Sequence, residues 1–152
     1  MTVRPAQASD IEALAAVLEG TELFPPEMLP QMMAGFLSGE GEELWLTIMR
    51  DDLPVGFCYA MPEALTEGTW NMLALAVLPD CQGEGCGKKM VRHLEATLKS
   101  QGCRILIVDT SGTDAFAGTR AFYEAAGYLE EARIRDYWAP GDDKVIFRKA
   151  LL

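Results

Sequence analysis

The passage that most constrains this chain is Leu75–Met90, LAVLPDCQGEGCGKKM. It leaves an apolar stretch, WNMLALAVL at 70–78, passes Pro79 and Asp80, and runs through Gly83, Gly85 and Gly87. Met90, Val91, Leu94 and Leu98 then recur at helical spacing, predicting a helix over about Gly87–Ser100. A stretch apolar on both faces belongs in the middle of a sheet. Glycines permit positive φ and let a ligand approach the backbone closely. The helix that follows turns its unpaired N–H groups and positive dipole end toward the loop. Strand, glycine turn and helix together make an anion site suited to phosphate.

Two familiar phosphate motifs do not fit. A P-loop needs G-x-x-x-x-G-K-[ST]. Counting back from Gly87-Lys88 puts its first glycine at Gln82, and Lys89 stands where serine or threonine belongs. A dinucleotide fingerprint needs G-x-G-x-x-G, but after Gly83 and Gly85 the third glycine position falls on Lys88. The loop also follows the fourth strand-like segment, whereas that fingerprint follows the first. What remains is Gln82-x-x-Gly85-x-Gly87.

The rest of the chain alternates. Thr2–Arg4 is extended, and Pro5 stops it. Ile11, Leu14, Ala15 and Leu18 predict a helix over Ser9–Glu19, ended by Gly20. Met28 to Leu37 form a second apolar stripe closed near Gly39, its regular part beginning near Pro30. Glu43–Arg50 and Val55–Met61 read as a hairpin around Asp51–Pro54. Arg104–Val108 is a short buried strand, Phe116–Ala126 a helix ending at Gly127, and Tyr128–Tyr137 and Lys144–Lys149 a last hairpin. The order β-αα-βββ-α-β-α-ββ predicts one α/β domain over 1–152 with a mixed sheet.

Composition removes several classes of function. Acidic residues number 23 against 13 basic, a net charge of −10, and such a surface repels nucleic acid and anionic membranes. The excess acid suits either a cationic substrate or plain solubility. No apolar run reaches the ~18–20 residues that span a bilayer. MTVRPAQASD has no apolar signal core, and Cys58, Cys81, Cys86 and Cys103 match no disulfide or zinc framework, so a reducing cytoplasm and no metal are expected. Cys86, beside a helix N-terminus, is either a thiol of lowered pKa or an inert small loop residue. His93 reads as a helix-surface residue.

Gln82-x-x-Gly85-x-Gly87 resembles the [Gln/Arg]-x-x-Gly-x-[Gly/Ala] segment of the GNAT superfamily of N-acetyltransferases, preceded here by Ala76-Val77-Leu78-Pro79. Thr119-Arg-Ala-Phe-Tyr-Glu-Ala-Ala-Gly-Tyr128 resembles that superfamily's A-x-x-F-Y-x-x-x-G-[Phe/Tyr] segment, through Phe122, Tyr123, Gly127 and Tyr128. Two positions depart from it. Thr119 stands for the usual small residue, and Phe116 for the frequent Asn that supports the pantetheine arm. The element order also matches over nearly the whole chain. The resemblance implies the acyl-CoA N-acyltransferase (GNAT) fold, a mixed, mostly antiparallel sheet flanked by helices. It implies acetyl transfer from acetyl-coenzyme A (acetyl-CoA), as co-substrate, to a primary amine of a small molecule by direct attack. The same fold also serves acetylation of a protein N-terminus or lysine, or a non-catalytic acyl-CoA-binding module.

Site roles follow from the same resemblance. The pyrophosphate is expected on Gln82, Gly83, Glu84, Gly85, Cys86, Gly87 and Lys88. Leu75, Ala76 and Val77 would pair with pantetheine through their backbones, with Phe122 close by. A backbone N–H near Val77, freed where the fourth strand splays from the fifth at a bulge, would face the thioester. Tyr123 stands where the superfamily often has its general acid, and a phenol of pKa about 10 is protonated at pH 7. The fourth strand carries no carboxylate to act as base; Glu67 and Asp109 are the neighbouring ones. Residues 22–27 and 134–141 would line the acceptor cleft. There Phe24, Tyr137 and Trp138 serve an apolar acceptor or a homodimer contact equally well.

Overall fold

The apolar stretch expected inside a sheet is its central strand. The computed structural model describes residues 1–152, with seven strands in the order β1-β2-β3-β4-β5-β7-β6. The elements are β1 (Thr2–Pro5), α1 (Ile11–Thr21), α2 (Leu29–Ser38), β2 (Leu44–Arg50), β3 (Leu53–Pro62) and β4 (Thr69–Val77). They continue with α3 (Cys86–Ser100), β5 (Ile105–Ser111), α4 (Ala117–Ala125), β6 (Leu129–Ala139) and β7 (Asp142–Ala150). Only β4 and β5 run parallel, joined through α3; every other pair is antiparallel. The mixed, mostly antiparallel sheet and the element order are those read from the sequence.

Each face of the sheet has its own core. Met90, Val91, Leu94 and Leu98 of α3 are buried against Ile48, Cys58, Met72, Leu106 and Phe147, with Tyr123 and Tyr128 from the α4 region. Leu14, Val17 and Leu18 of α1, with Leu29 and Met33 of α2, cover Trp45, Phe57, Ala74 and Ala76 on the other face. The i, i+3, i+4 stripe that predicts α1 is the stripe it buries.

Several boundaries differ from the sequence reading, each for a local reason. Gly20 lies inside α1, and the helix closes one residue past Thr21, at Glu22 with φ 55°. A Cβ on Gly20 would lie 2.9 Å from Pro79 Cδ, so this glycine admits the segment leading to the glycine loop. A short 3-10 turn, Ala8–Asp10, precedes α1. Asp51 and Asp52 both have positive φ, giving the two-residue turn that matches strand twist, and pairing therefore continues to Arg50 and Leu53. The final hairpin likewise closes over two residues, with Ala139 opposite Asp142. β5 runs three residues past Val108, to Ser111, because β7 pairs along it. No helix is long and apolar enough to cross a membrane.

One ion pair ties β1 to the start of α1. Arg4 donates to both carboxylate oxygens of buried Asp10, at 2.7 and 2.9 Å, and Gln7 N–H donates to the same carboxylate at 2.8 Å. The Arg4 hydrogen bonds hold the Asp10 carboxyl below its usual range, outweighing the opposing effect of burial. A depressed folded pKa gives stability that is present above the unfolded value of about 4 and lost as pH falls through the folded one. Asp10→Asn should therefore lower unfolding free energy at pH 7 by about 2 kcal/mol, the scale of hydrogen bonds to a charged group. Urea unfolding at pH 7 and near pH 3 checks this. The gap between wild type and variant should shrink at the lower pH, and a gap independent of pH contradicts the assignment.

Candidate active site

The site begins with a defect in the central strand. Against β3, Ala74 pairs with Tyr59 and Met72 with Ala60, leaving Leu73 as an extra, bulged residue. The bulge changes which residues face which core: Met72 packs toward α3, while Ala74 and Ala76 face α1. Pairing with β5 also stops there, since Met72↔Val108 is the last register pair. Beyond it β4 and β5 part. Leu78 N–H donates to Val55 O at 2.8 Å, so by the alternation of antiparallel ladders Ala76 turns its polar backbone to β3. Leu75 and Val77 turn theirs into the gap between β4 and β5. That is the splayed, unpaired edge expected near Val77.

The glycine loop closes one end of this gap. Gln82 Nε2 donates to Val77 O at 3.0 Å, tying the first residue of the motif to the strand end. Gly83 and Gly85 have φ of 79° and 88°, and a Cβ on either would meet nothing within 4 Å. The α3 ladder opens with Lys89 N–H on Gly85 O, while the N–H groups of Gly83, Glu84 and Gly85 have no acceptor in the chain. Three free amides, a helix start and an open side together form a cradle for an anion.

A groove of 630 Å³ runs along this cradle. Its lining includes Leu75, Val77, Gln82, Gly83, Gly85, Cys86, Gly87 and Lys88, with Gly118, Thr119, Phe122 and Tyr123 from α4. Phe122 packs across Gly87, where a Cβ would lie 3.4 Å from the ring. Two expected residues turn their side chains elsewhere; the Glu84 N–H stays in the cradle, whereas the Ala76 backbone faces β3. The Ala76 side chain is buried under α1, and the Glu84 carboxylate turns back to Arg50 at 2.6 Å. Of the paired lysines, Lys88 lines the groove, while Lys89 Nζ donates to Met1 O at 3.2 Å. Cys86 is buried with its sulfur on Met1 Sδ, and burial raises its thiol pKa, which favours the inert reading.

A second groove, of 420 Å³, meets the first at Leu75, Thr119 and Tyr123. Leu23, Phe24, Leu73, Phe116 and Trp138 give it an apolar wall, and its charged lining residues are Asp109 and Asp142. Phe116, the departure from the Asn pattern, thus lines this groove and not the first one. Glu67 is exposed in the loop before β4 and lines neither. Asp109 stands where β4 and β5 part. Its Oδ2 accepts from Asn71 Nδ2 and pairs with Lys144 Nζ, each at 3.3 Å, and its Oδ1 is enclosed without a partner.

Trp138, expected along the acceptor cleft, lines this groove through a bulge that was not legible in the sequence. Ile134 pairs with Lys144 and Ala139 with Asp142, so the four residues Arg135–Trp138 stand against Asp143 alone. Asp143 accepts from Asp136 N–H at 3.0 Å, and Gly141 N–H donates to the Asp136 side chain at 2.8 Å. This built bulge carries Trp138 back over the sheet, where its indole N–H donates to Thr110 O at 3.2 Å. Tyr137 stays outside the groove under Lys144 Nζ, 4.5 Å from its ring centre.

Tyr123 sits where the grooves meet. Its ring is buried against Phe122, Tyr128 and Phe147, at centroid distances of 5.2, 5.7 and 5.8 Å. Its hydroxyl makes no hydrogen bond within the chain, yet it is not among the fully enclosed unpartnered atoms. The hydroxyl therefore opens into the junction. Burial, and secondarily the neighbouring Cys58 thiol, raise its pKa above the ordinary phenol value, so it holds its proton through the physiological range.

Comparison with known proteins agrees with this architecture. The acetyltransferase (GNAT) family model matches residues 11–128. An amino-acid acetyltransferase of Ralstonia nicotianae is 28% identical over 129 residues, 81% of this chain and 26% of that protein. The chain thus spans about a quarter of that relative's length. The crystal structure of a candidate GNAT-family acetyltransferase from Desulfovibrio desulfuricans is 29% identical, with a TM-score of 0.89 over 99% of both chains. An aminoglycoside 6′-N-acetyltransferase solved with coenzyme A has the same fold, with a TM-score of 0.81 over 100% of this chain and 98% of that one at 20% identity. The splayed β4, the glycine cradle and the match across residues 11–128 lead to one assignment: this chain belongs to the GNAT family of N-acetyltransferases.

Proposed function

We propose that this chain moves an acetyl group from acetyl-CoA to a primary amine of a small molecule by direct attack within the site. The observation that carries the reading is the meeting of two grooves at Tyr123, one built for phosphate and an extended amide arm, the other apolar with carboxylates. The free amides of Gly83, Glu84 and Gly85 fit a pyrophosphate, with Lys88 beside them. Leu75 and Val77, unpaired on the β5 side, fit the amides of a pantetheine arm as an added strand would. Acetyl-CoA, when bound, supplies an activated acyl group and a thiol leaving group.

The chain's own groups then have separate tasks. Val77 N–H is a fixed donor for negative charge developing on oxygen at the strand edge. The Tyr123 hydroxyl holds a proton that it can give to a departing thiolate. Leu23, Phe24, Phe116 and Trp138 hold the apolar body of the acceptor and exclude water. Asp142, with Asp109 whose charge Lys144 partly offsets, favours an acceptor that arrives as a cation, and the amine gives its proton to water before its nitrogen attacks the thioester carbon.

The test is thiol release from acetyl-CoA across a panel of amines with the purified chain. Primary amines on aromatic or aliphatic bodies should turn over, and peptides bearing free N-termini or lysines should be slower. Faster turnover of the peptides assigns the acceptor to protein. Tight acetyl-CoA binding with no acceptor across the panel points to a binding module instead.

A further inference from the structure

We propose that Arg50 is a positioning residue for the phosphate cradle, holding the Glu84 carboxylate out of it and neutralising its charge. The inference rests on the reading of the groove as an acetyl-CoA site. Glu84 is the only ionisable carboxylate between Gln82 and Gly87, within the turn whose amides lack acceptors. It immediately precedes Gly85, the N-cap of α3. A carboxylate at a helix start is itself an anion attracted to the free N–H groups and the dipole. Left unrestrained, Glu84 would compete with phosphate for the cradle and repel it.

Arg50 prevents this from the end of β2. Its Nη1 lies 2.6 Å from Glu84 Oε2 and donates to Cys81 Sγ at 3.2 Å. Cys81 precedes Gln82 and Glu84 follows it, so one guanidinium group holds both limbs of the loop. Arg50 is itself fixed by its pairing with Leu53 across the tight Asp51-Asp52 turn. Both partners of the ion pair are more than 40% exposed, and such pairs add little to folding stability. The pair's effect should therefore appear in cofactor affinity and hardly in the unfolding midpoint.

A charge cycle tests the proposal, with acetyl-CoA as the probe in calorimetry and steady-state kinetics on the full chain. Arg50→Met should raise Kd and KM for acetyl-CoA about tenfold, with kcat within about twofold of wild type. Glu84→Gln should bind about twofold more tightly than wild type, because the residual negative charge is gone. The double variant should recover most of the loss caused by Arg50→Met, since no carboxylate remains to misplace. A double variant as weak as Arg50→Met alone overturns the proposal, as does an Arg50→Met variant that binds like wild type. If the wild-type chain binds no acetyl-CoA, the reading of the groove fails, and this inference fails with it. Binding by wild type without the charge-dependent recovery defeats this inference alone.

Discussion

Gly85→Asp is expected to reduce acetyl-CoA binding by at least roughly twentyfold while leaving the protein folded. Gly85 has φ 88° and caps α3, and its N–H is one of three in the turn without an acceptor. A side chain there meets no atom of the chain within 4 Å, so the folded protein can admit it. The left-handed conformation costs a non-glycine residue about 1–2 kcal/mol. The added carboxylate matters more. At about 5 Å from a doubly charged pyrophosphate it costs about 1.7 kcal/mol even at the dielectric of water, and several times that in a drier site. Gly85→Ala carries the same backbone strain without the charge, and its binding should fall by a few-fold only. Calorimetric titration with acetyl-CoA, with thermal unfolding to confirm folding, separates the two. Normal binding by Gly85→Asp overturns the cradle assignment.

The contrast between these glycines and Gly20 shows what was legible in the sequence. Gly83, Gly85 and Gly87 sit in a local pattern, strand to turn to helix, whose meaning depends on neighbours a few residues away. The open turn at Gly83 and Gly85 follows from that pattern, while the packing of Phe122 across Gly87 does not. Gly20 ends a helical stripe in the sequence, but its reason is Pro79, 59 residues on, brought there by the packing of α1 on β4. The Leu73 bulge is hidden for a similar cause. From Met72 to Leu78 the stretch is apolar throughout, so no polar residue marks where one face becomes the other. The contacts that place Arg50 and Trp138 at the site are long-range, Arg50 on Glu84 and the Trp138 indole on Thr110 O, and no local pattern records them. Asp109 was visible as a carboxylate ending a strand. That it lines the acceptor groove while Glu67 does not is decided by where β4 and β5 part.

Tyr123→Phe should lower kcat by about 10²–10³ while Kd for acetyl-CoA stays within about twofold of wild type, the range expected when a general acid is lost. The substitution removes one oxygen that bonds nothing in the chain, so no buried partner is left unsatisfied. The phenylalanine ring keeps the contacts with Phe122, Tyr128 and Phe147, and the unfolding midpoint should barely move. The pH dependence gives an independent check. Burial raises the Tyr123 pKa above 10, so the proton needed by a leaving thiolate is present throughout the physiological range. Wild-type kcat should then show no alkaline loss assignable to Tyr123 below about pH 10, because the charged phenolate is the disfavoured form in this site. A lowered phenol pKa would have placed such a loss near neutrality. Rapid-mixing measurement of thiol release, under conditions where chemistry limits the rate, separates the acid's contribution from product release. If kcat of Tyr123→Phe equals that of wild type under those conditions, the leaving thiolate takes its proton from elsewhere, and Tyr123 serves only to pack the junction of the two grooves.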